Sequence, residues 1–165
     1  MKLVRFDERH LAELMRWFPD ASSCASWGGP HFRFPFTAAS FRADARVDAL
    51  PTWSLLDDAG ELVAFGQYYD RLARCHLAHL VVRPEARGRG AGTRLIGELC
   101  AEGSLVLGVS EFSLFVLARN LPAERLYRRL GFADALYPEW LPATEPMRYM
   151  VASGTAADAL RSCRR

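Results

Sequence analysis

The sequence predicts a single mixed α/β (α+β) domain with its elements in the order β-α-α-β-β-β-α-β-α-β-β. Three observations predict it. The 165 residues contain no internal repeat and no linker, and that length suits one domain with a real core. Apolar residues change their spacing along the chain, from helical to alternating and back. One apolar strand, Leu77 to Val82, passes through a glycine- and arginine-rich turn straight into an amphipathic helix.

Taken in order, Lys2 to Asp7 reads as a first strand. In His10 to Phe18, residues Leu11, Leu14, Met15 and Phe18 sit at i, i+3, i+4 and i+7, and Pro19 ends the helix. Residues 20–36 read as an aromatic segment with little room for regular structure: Trp27-Gly28-Gly29-Pro30 is a turn cluster, and Phe32, Phe34 and Phe36 alternate with His31, Arg33 and Pro35. Thr37 to Val47 reads as a second helix with Thr37 or Ser40 as N-cap. Thr52 to Leu56 and Leu62 to Tyr69 read as strands joined by the hairpin turn Asp57-Asp58-Ala59-Gly60. Arg71 to Arg74 connects to the strand Cys75 to Val82, and a helix follows from Gly90 to about Ala101. Glu111 to Leu117 is the next strand. Asn120 then opens a helix with Pro122 in its first turn and Ala123, Leu126, Tyr127 and Leu130 as its buried stripe. Gly131 is its C′ glycine, with Phe132 as the closing apolar contact. Phe132 to Leu136 and Met147 to Ala152 read as the last strands, with Pro138, Trp140, Pro142 and Pro146 in the loop between them. Residues 1–152 form the domain and residues 153–165 a loose tail.

Composition narrows the function. The formal net charge is +2, too small to argue for a nucleic-acid partner. Lys2 is the only lysine, which excludes lysine Schiff-base chemistry outside the N-terminus. Cys24, Cys75, Cys100 and Cys163 show no paired spacing and read as free thiols of a reducing compartment. The first residues are charged too early for a signal peptide, and no apolar run approaches a membrane span. The expectation is a cytoplasmic protein with no membrane partner.

The stretch Val81-Val82-Arg83-Pro84-Glu85-Ala86-Arg87-Gly88-Arg89-Gly90-Ala91-Gly92-Thr93-Arg94-Leu95 carries the chemistry. Pro84 cannot continue a ladder, so the strand stops before it. A helix start leaves its first N–H groups without partners at the positive end of the macrodipole. Glycines let a ligand approach those groups, and Arg87 and Arg89 add full charge, so the product is a phosphate seat. Neither the dinucleotide fingerprint nor the P-loop fits the glycine spacing. Read without more, the same residues make an ordinary turn with surface arginines.

What does fit is Arg-x-x-Gly-x-Gly at Arg87, Gly90 and Gly92, which resembles the pyrophosphate-binding signature of the GCN5-related N-acetyltransferase (GNAT) family. A second stretch, with Asn120, Ala123, Tyr127, Gly131 and Phe132 in register, is similar to that family's second motif. The resemblance extends over about residues 3–152. It implies a central mixed, mostly antiparallel sheet of six to seven strands flanked by about four helices, and transfer of an acetyl group from acetyl-CoA, with no metal, to a primary amine of a small molecule or a peptide N-terminus.

The resemblance also implies roles. Backbone N–H groups of Arg87, Gly88, Arg89, Gly90, Ala91, Gly92 and Thr93 grip the pyrophosphate. The main chain of Val81 and Val82 receives the pantetheine arm, with an oxyanion donor near Leu80 to Val82. Asn120, with Ala123 on the same motif, is a further cofactor contact, or Asn120 simply caps its helix. Tyr127 is the leaving-group acid, since a phenol stays protonated at neutral pH; read alone it is a core tyrosine. His76 falls where some members carry a basic histidine, while Phe115 stands where others place a glutamate. Regular alternation puts His76 and His79 on opposite faces, so they share no metal. Trp27, Phe32 and Tyr68 are the acceptor-site candidates, although the aromatic segment reads equally as a satellite core. The competing function is a non-catalytic acyl-CoA-binding module, and a homodimer is left open.

Overall fold

The computed structural model describes residues 1–138 and 145–154. Its elements are β1 (Lys2–Arg5), α1 (Glu8–Arg16), α2 (Ala21–Gly28), α3 (Ala38–Asp44), β2 (Thr52–Leu56), β3 (Leu62–Arg71), β4 (Arg74–Val82), a 3-10 turn (Pro84–Ala86), α4 (Ala91–Leu107), β5 (Glu111–Leu117), α5 (Leu121–Arg129), β6 (Ala133–Asp134) and β7 (Met147–Ser153). The seven strands form one mixed sheet in the order β1-β2-β3-β4-β5-β7-β6. β4 and β5 run parallel, while β1–β2, β2–β3, β5–β7 and β6–β7 are antiparallel. The expected loop around Trp140 and Pro142, and the tail from 155 onward with Cys163, lie outside the described residues. Contacts within the domain group into two units, residues 1–68 with 79–95, and residues 69–78 with those from 96 onward.

In the first unit, three short helices each begin on a reciprocal cap. The Asp7 carboxylate accepts from the Arg9 N–H, and the Asp7 N–H donates to His10 Nδ1. Asp20 pairs in the same way with Ser23, and Thr37 with Ser40. Each box satisfies N–H groups that the first turn leaves open. Thr37 and Ser40, alternative caps in the sequence, thus work together.

Helix α2 corrects the expectation for residues 20–36. Its Ala-Ser-Ser-Cys-Ala-Ser-Trp-Gly carries no apolar stripe at helical spacing, so periodicity is silent there. The helix forms because its N-cap is strong and Cys24 and Trp27 turn inward. Trp27 stacks on Phe18, with centroids 4.5 Å apart, and on Phe41 at 5.5 Å. Phe32 packs edge-on against Phe41 at 5.1 Å. A Cβ on Gly28 would come within 2.1 Å of Phe32 Cδ2, so only glycine there lets the Phe32 ring close over the helix.

The β2–β3 turn follows the sequence. Asp57 Oδ1 accepts from the Ala59 and Glu61 N–H groups, and Gly60 sits at φ +83°. The β3–β4 connection is tighter than expected. Leu72 and Ala73 hold φ +55° and +56°, the left-handed geometry of a two-residue hairpin turn. Without glycine, each costs about 1 kcal/mol.

In the second unit, β5 pairs along its whole length with β7, placing Phe112 opposite Ala152 and Leu114 opposite Met150 on one buried face. Its parallel register with β4 places Cys75 opposite Phe112 and Leu77 opposite Leu114. Helix α4 runs six residues past the expected end and closes at Gly108, whose φ is +68° and whose N–H donates to the Ser104 carbonyl. Helix α5 ends as the sequence predicts: the Gly131 N–H donates to the Arg128 carbonyl and the Phe132 N–H to the Tyr127 carbonyl, the two bonds of a Schellman cap.

Candidate functional site

The phosphate seat lies in the first unit. β4 ends at Val82, the 3-10 turn carries the chain through Pro84–Ala86, and α4 starts at Ala91. Gly88 and Gly90 hold φ +73° and +84°, and no atom lies within 4 Å of the Cβ position of either. The first helical bond of α4 runs from the Arg94 N–H to the Gly90 carbonyl. The N–H groups of Ala91, Gly92 and Thr93 therefore have no acceptor within the helix. Three such donors at the positive end of a 17-residue helix fit a pyrophosphate.

Arg87 and Arg89 are exposed, and among the described residues neither pairs with a carboxylate. Arg87 does more than supply charge. Its Nε donates to the Val82 carbonyl at 3.2 Å, which braces the loop against the end of β4. Arg83 anchors the same end through its backbone, donating to the Val63 carbonyl at 2.9 Å.

Upstream on β4, the expected alternation fails. His79 holds φ +49°, a conformation uncommon for a non-glycine residue. The residue resets the facing of the strand. His79 meets Gln67 of β3 and His76 meets Tyr69, two positions apart on one face of β3. The separation of the two histidines onto opposite faces is therefore incorrect, because one residue in the left-handed region breaks period two.

Gln67 defines the His79 tautomer. Its side-chain nitrogen donates to the Ala45 carbonyl and to Thr52 Oγ1, both at 2.9 Å. A carbonyl only accepts, so the amide cannot be flipped. Gln67 Oε1 therefore takes the His79 Nδ1–H at 2.5 Å, and Nε2 carries the lone pair. Burial and the Arg46 charge lower the His79 pKa to about 4. Sequence reasoning missed this ring, for which the only signal was a histidine four residues before Arg83 on the strand. Of the acceptor candidates, Trp27 is half-buried with its ring 5.1 Å from His79. Phe32 and Tyr68 are 7 % and 0 % exposed, and Phe32 packs within the aromatic cluster of the first unit.

The second unit holds the remaining candidates. His76 is 3 % exposed and shares a 2.9 Å hydrogen bond between Nδ1 and Ser113 Oγ. Burial, with the Arg71 charge second, lowers its pKa to about 3, so the ring is neutral at pH 7. Phe115 is 5.2 Å from it. Tyr127 is 8 % exposed on α5, and burial pushes its pKa up to about 12. It is a firmly protonated phenol. Asn120 Oδ1 accepts from the Ala123 N–H at 3.3 Å, a helix cap that leaves the Asn120 amide donors available. Burial pushes the Cys75 thiol up to about 12 and raises Cys100 as well, so neither is a nucleophile near neutrality. Among the described residues, no three His, Cys, Asp or Glu side chains converge to hold a metal, and no helix is long and apolar enough to cross a membrane.

Comparison with known proteins agrees with this geometry. Residues 11–132 match the model of the acetyltransferase (GNAT) family. The chain is 37% identical over 86 residues to mouse (Mus musculus) thialysine N-epsilon-acetyltransferase, covering 48% of this chain and 50% of that protein. It is also 37% identical over 78 residues to the pig (Sus scrofa) enzyme of the same name, covering 44% and 45%. The match thus spans about half the length of these relatives. Among solved structures, the Vibrio cholerae spermidine N-acetyltransferase in complex with CoA and spermine has a TM-score of 0.71 at 17% identity, covering 94% of this chain and 96% of that one. The Escherichia coli ribosomal-protein-S18-alanine N-acetyltransferase has a TM-score of 0.62 at 22% identity, covering 92% of each. At those identities the likeness shows the fold. Given a family match over most of the chain and a sheet of the same architecture, the chain belongs to the acetyltransferase (GNAT) family.

Proposed function

We propose that the chain is an N-acetyltransferase that moves the acetyl group of acetyl-CoA to a primary amine of a small molecule or a peptide N-terminus, directly and in a ternary complex. The observation that carries the reading is the seat before α4: two unobstructed glycines at positive φ, three helix N–H donors and two exposed arginines. In this reading the N–H groups of residues 88–93 hold the pyrophosphate, since the Arg87 N–H donates to the Pro84 carbonyl. The main chain at Val81 and Val82 lines the pantetheine arm, with Asn120 as a further contact. The neutral amine attacks the thioester carbonyl, the C–N bond forms, and the C–S bond breaks. Tyr127 gives its proton to the departing thiolate. The phenol is protonated at neutral pH, and the burial that keeps it so also makes it a weak acid. The buried thiols support transfer without a cysteine relay.

His76 is the proposed acceptor of the ammonium proton. A second candidate rests on one observation: the Gln67 bond leaves the Nε2 lone pair of His79 as that ring's acceptor. Both rings are held neutral, and both are weak bases for the same reason. The relatives are named for thialysine and spermidine, which supports an amine acceptor as the class. The seat itself serves equally in an acyl-CoA-binding module.

Thiol release from acetyl-CoA across a panel of amines separates these functions, with CoA binding followed by calorimetry. Tyr127→Phe is expected to leave CoA binding unchanged and lower kcat by about 100-fold, the lower end of what a proton donor contributes. Unchanged turnover would remove Tyr127 from the mechanism. Binding without turnover on every amine would favour the module.

A further inference from the structure

The end of β3 in the second unit holds a guanidinium with unusual company. Arg71 is half-buried. Its Nη1 donates to Tyr69 Oη at 2.9 Å, and its Nε donates to Tyr137 Oη at 2.9 Å, with Nη2 bonded to the same oxygen. Its Cζ lies 5.2 Å from the Phe115 ring centroid and 5.1 Å from that of Tyr137. These are neutral partners. Among the described residues no carboxylate pairs with Arg71, whereas Arg74, across the two-residue turn, pairs with Glu111 at 2.9 Å. Other arginines in less buried places have carboxylates too: Arg33 with Asp44, Arg128 with Glu124 and Asp134.

A guanidinium has five N–H donors. Three are engaged by the two phenol oxygens, which leaves one on Nη1 and one on Nη2. Those are the two terminal nitrogens that a carboxylate engages in a bidentate pair. The turn that places Arg71 there carries two non-glycine residues at positive φ, and strain of that kind concentrates where position matters for function. The same two aromatic residues that surround Arg71 also surround the proposed proton acceptor: the His76 ring is 5.1 Å from Tyr69 and 5.2 Å from Phe115. The His76 ring is neutral, so it neither competes for an anion nor repels an amine.

We propose that Arg71, held by Tyr69 and Tyr137, is the carboxylate subsite of the acceptor, so that the preferred acceptor is an amine that also bears a carboxylate. The subsite rests on the acetyltransferase reading above and selects within it. A polyamine brings only positive charge to the guanidinium and is disfavoured. An amino acid brings a carboxylate to Arg71 and an amine to the His76 side of the same aromatic cluster.

The test uses matched acceptors that differ only in the carboxylate, lysine against cadaverine and phenylalanine against phenethylamine, with spermidine alongside. Thiol release from acetyl-CoA is measured for the full chain, for Arg71→Gln and for Arg71→Lys. In at least one pair the carboxylate-bearing acceptor is expected to have a kcat/KM about 10–100-fold higher, the usual worth of a charged hydrogen bond. Arg71→Gln should remove that preference through the acceptor KM, slowing the carboxylate-bearing member of a pair far more than the carboxylate-free one, with the KM for acetyl-CoA unchanged. Arg71→Lys, which keeps the charge without the fork, should restore part of it. Equal rates within both pairs overturn the subsite, as does an Arg71→Gln variant that slows both members of a pair alike. Those outcomes leave the acetyltransferase reading intact. No turnover on any amine, with no CoA binding by calorimetry, overturns that reading and the subsite with it.

Discussion

The phosphate turn at residues 87–93 and the aromatic segment at residues 17–41 belong to the same contact unit and are built in opposite ways. The turn uses backbone. Gly88 and Gly90 meet nothing within 4 Å at the Cβ position, the two arginines are exposed, and the donors are main-chain N–H groups. The segment uses side chains. Trp27, Phe18 and Phe41 pack against one another, and Phe41 is 0 % exposed. The difference teaches that a binding site made of N–H groups contributes little to the packed core, while the core beside it contributes little charge or hydrogen bonding to a ligand.

Phe41→Ala should break the packed side of this contrast. It removes the ring against which Phe18, Trp27, Phe32 and Phe36 all rest, and a loss of about 3–5 kcal/mol in unfolding free energy is expected by denaturant titration. Gly90→Glu tests the other side. It sets a carboxylate at the pyrophosphate seat, and CoA affinity should fall at least a hundredfold, or about 2.7 kcal/mol. The fold should lose only about 1 kcal/mol from forcing a side chain to φ +84°. Tight CoA binding by this variant would mean that the seat is elsewhere.

The smallest expected effect is on pH dependence. His76 and His79 have pKa values lowered to about 3 and about 4, from an ordinary value near 6.5. Below that value the unfolded chain takes up protons that the folded chain refuses. Stability should therefore be complete above about pH 7 and decline as pH falls toward 4, by about 1–2 kcal/mol per imidazole at pH 5. His76→Gln should flatten about half of that slope in titrations repeated from pH 7 to pH 5.

The contrast also governs what the sequence made legible. The turn could be read because backbone geometry leaves residue signatures: Gly88 and Gly90 at positive φ, Pro84 at the strand end, Gly131 and Phe132 at the Schellman cap. Helix α2 could not be read from periodicity, since Ala21 to Gly28 has no stripe. The available signal was Asp20 with Ser23 three residues on, a capping box. The extension of α4 was hidden because Leu105 and Val106 are exposed, at 81 % and 57 %, and so do not prolong the buried face. The Gln67–His79 pair and the Arg71 cluster join residues 12 and 66 positions apart, and nothing local in the chain records such contacts. The left-handed turn at His79 is likewise invisible, because histidine carries no requirement for it.

That single residue has a consequence for protein engineering. A strand has a parity: odd and even positions look opposite ways, and everything downstream inherits the count. His79 changes the parity of β4 only a few residues before the chain reaches Arg87. A graft of the glycine loop onto another scaffold that begins at Leu80 would carry the right letters with the wrong phase, facing Val81 and Val82 the other way. The portable module begins upstream of the irregularity, at about Leu77, so that the change of phase travels with the loop.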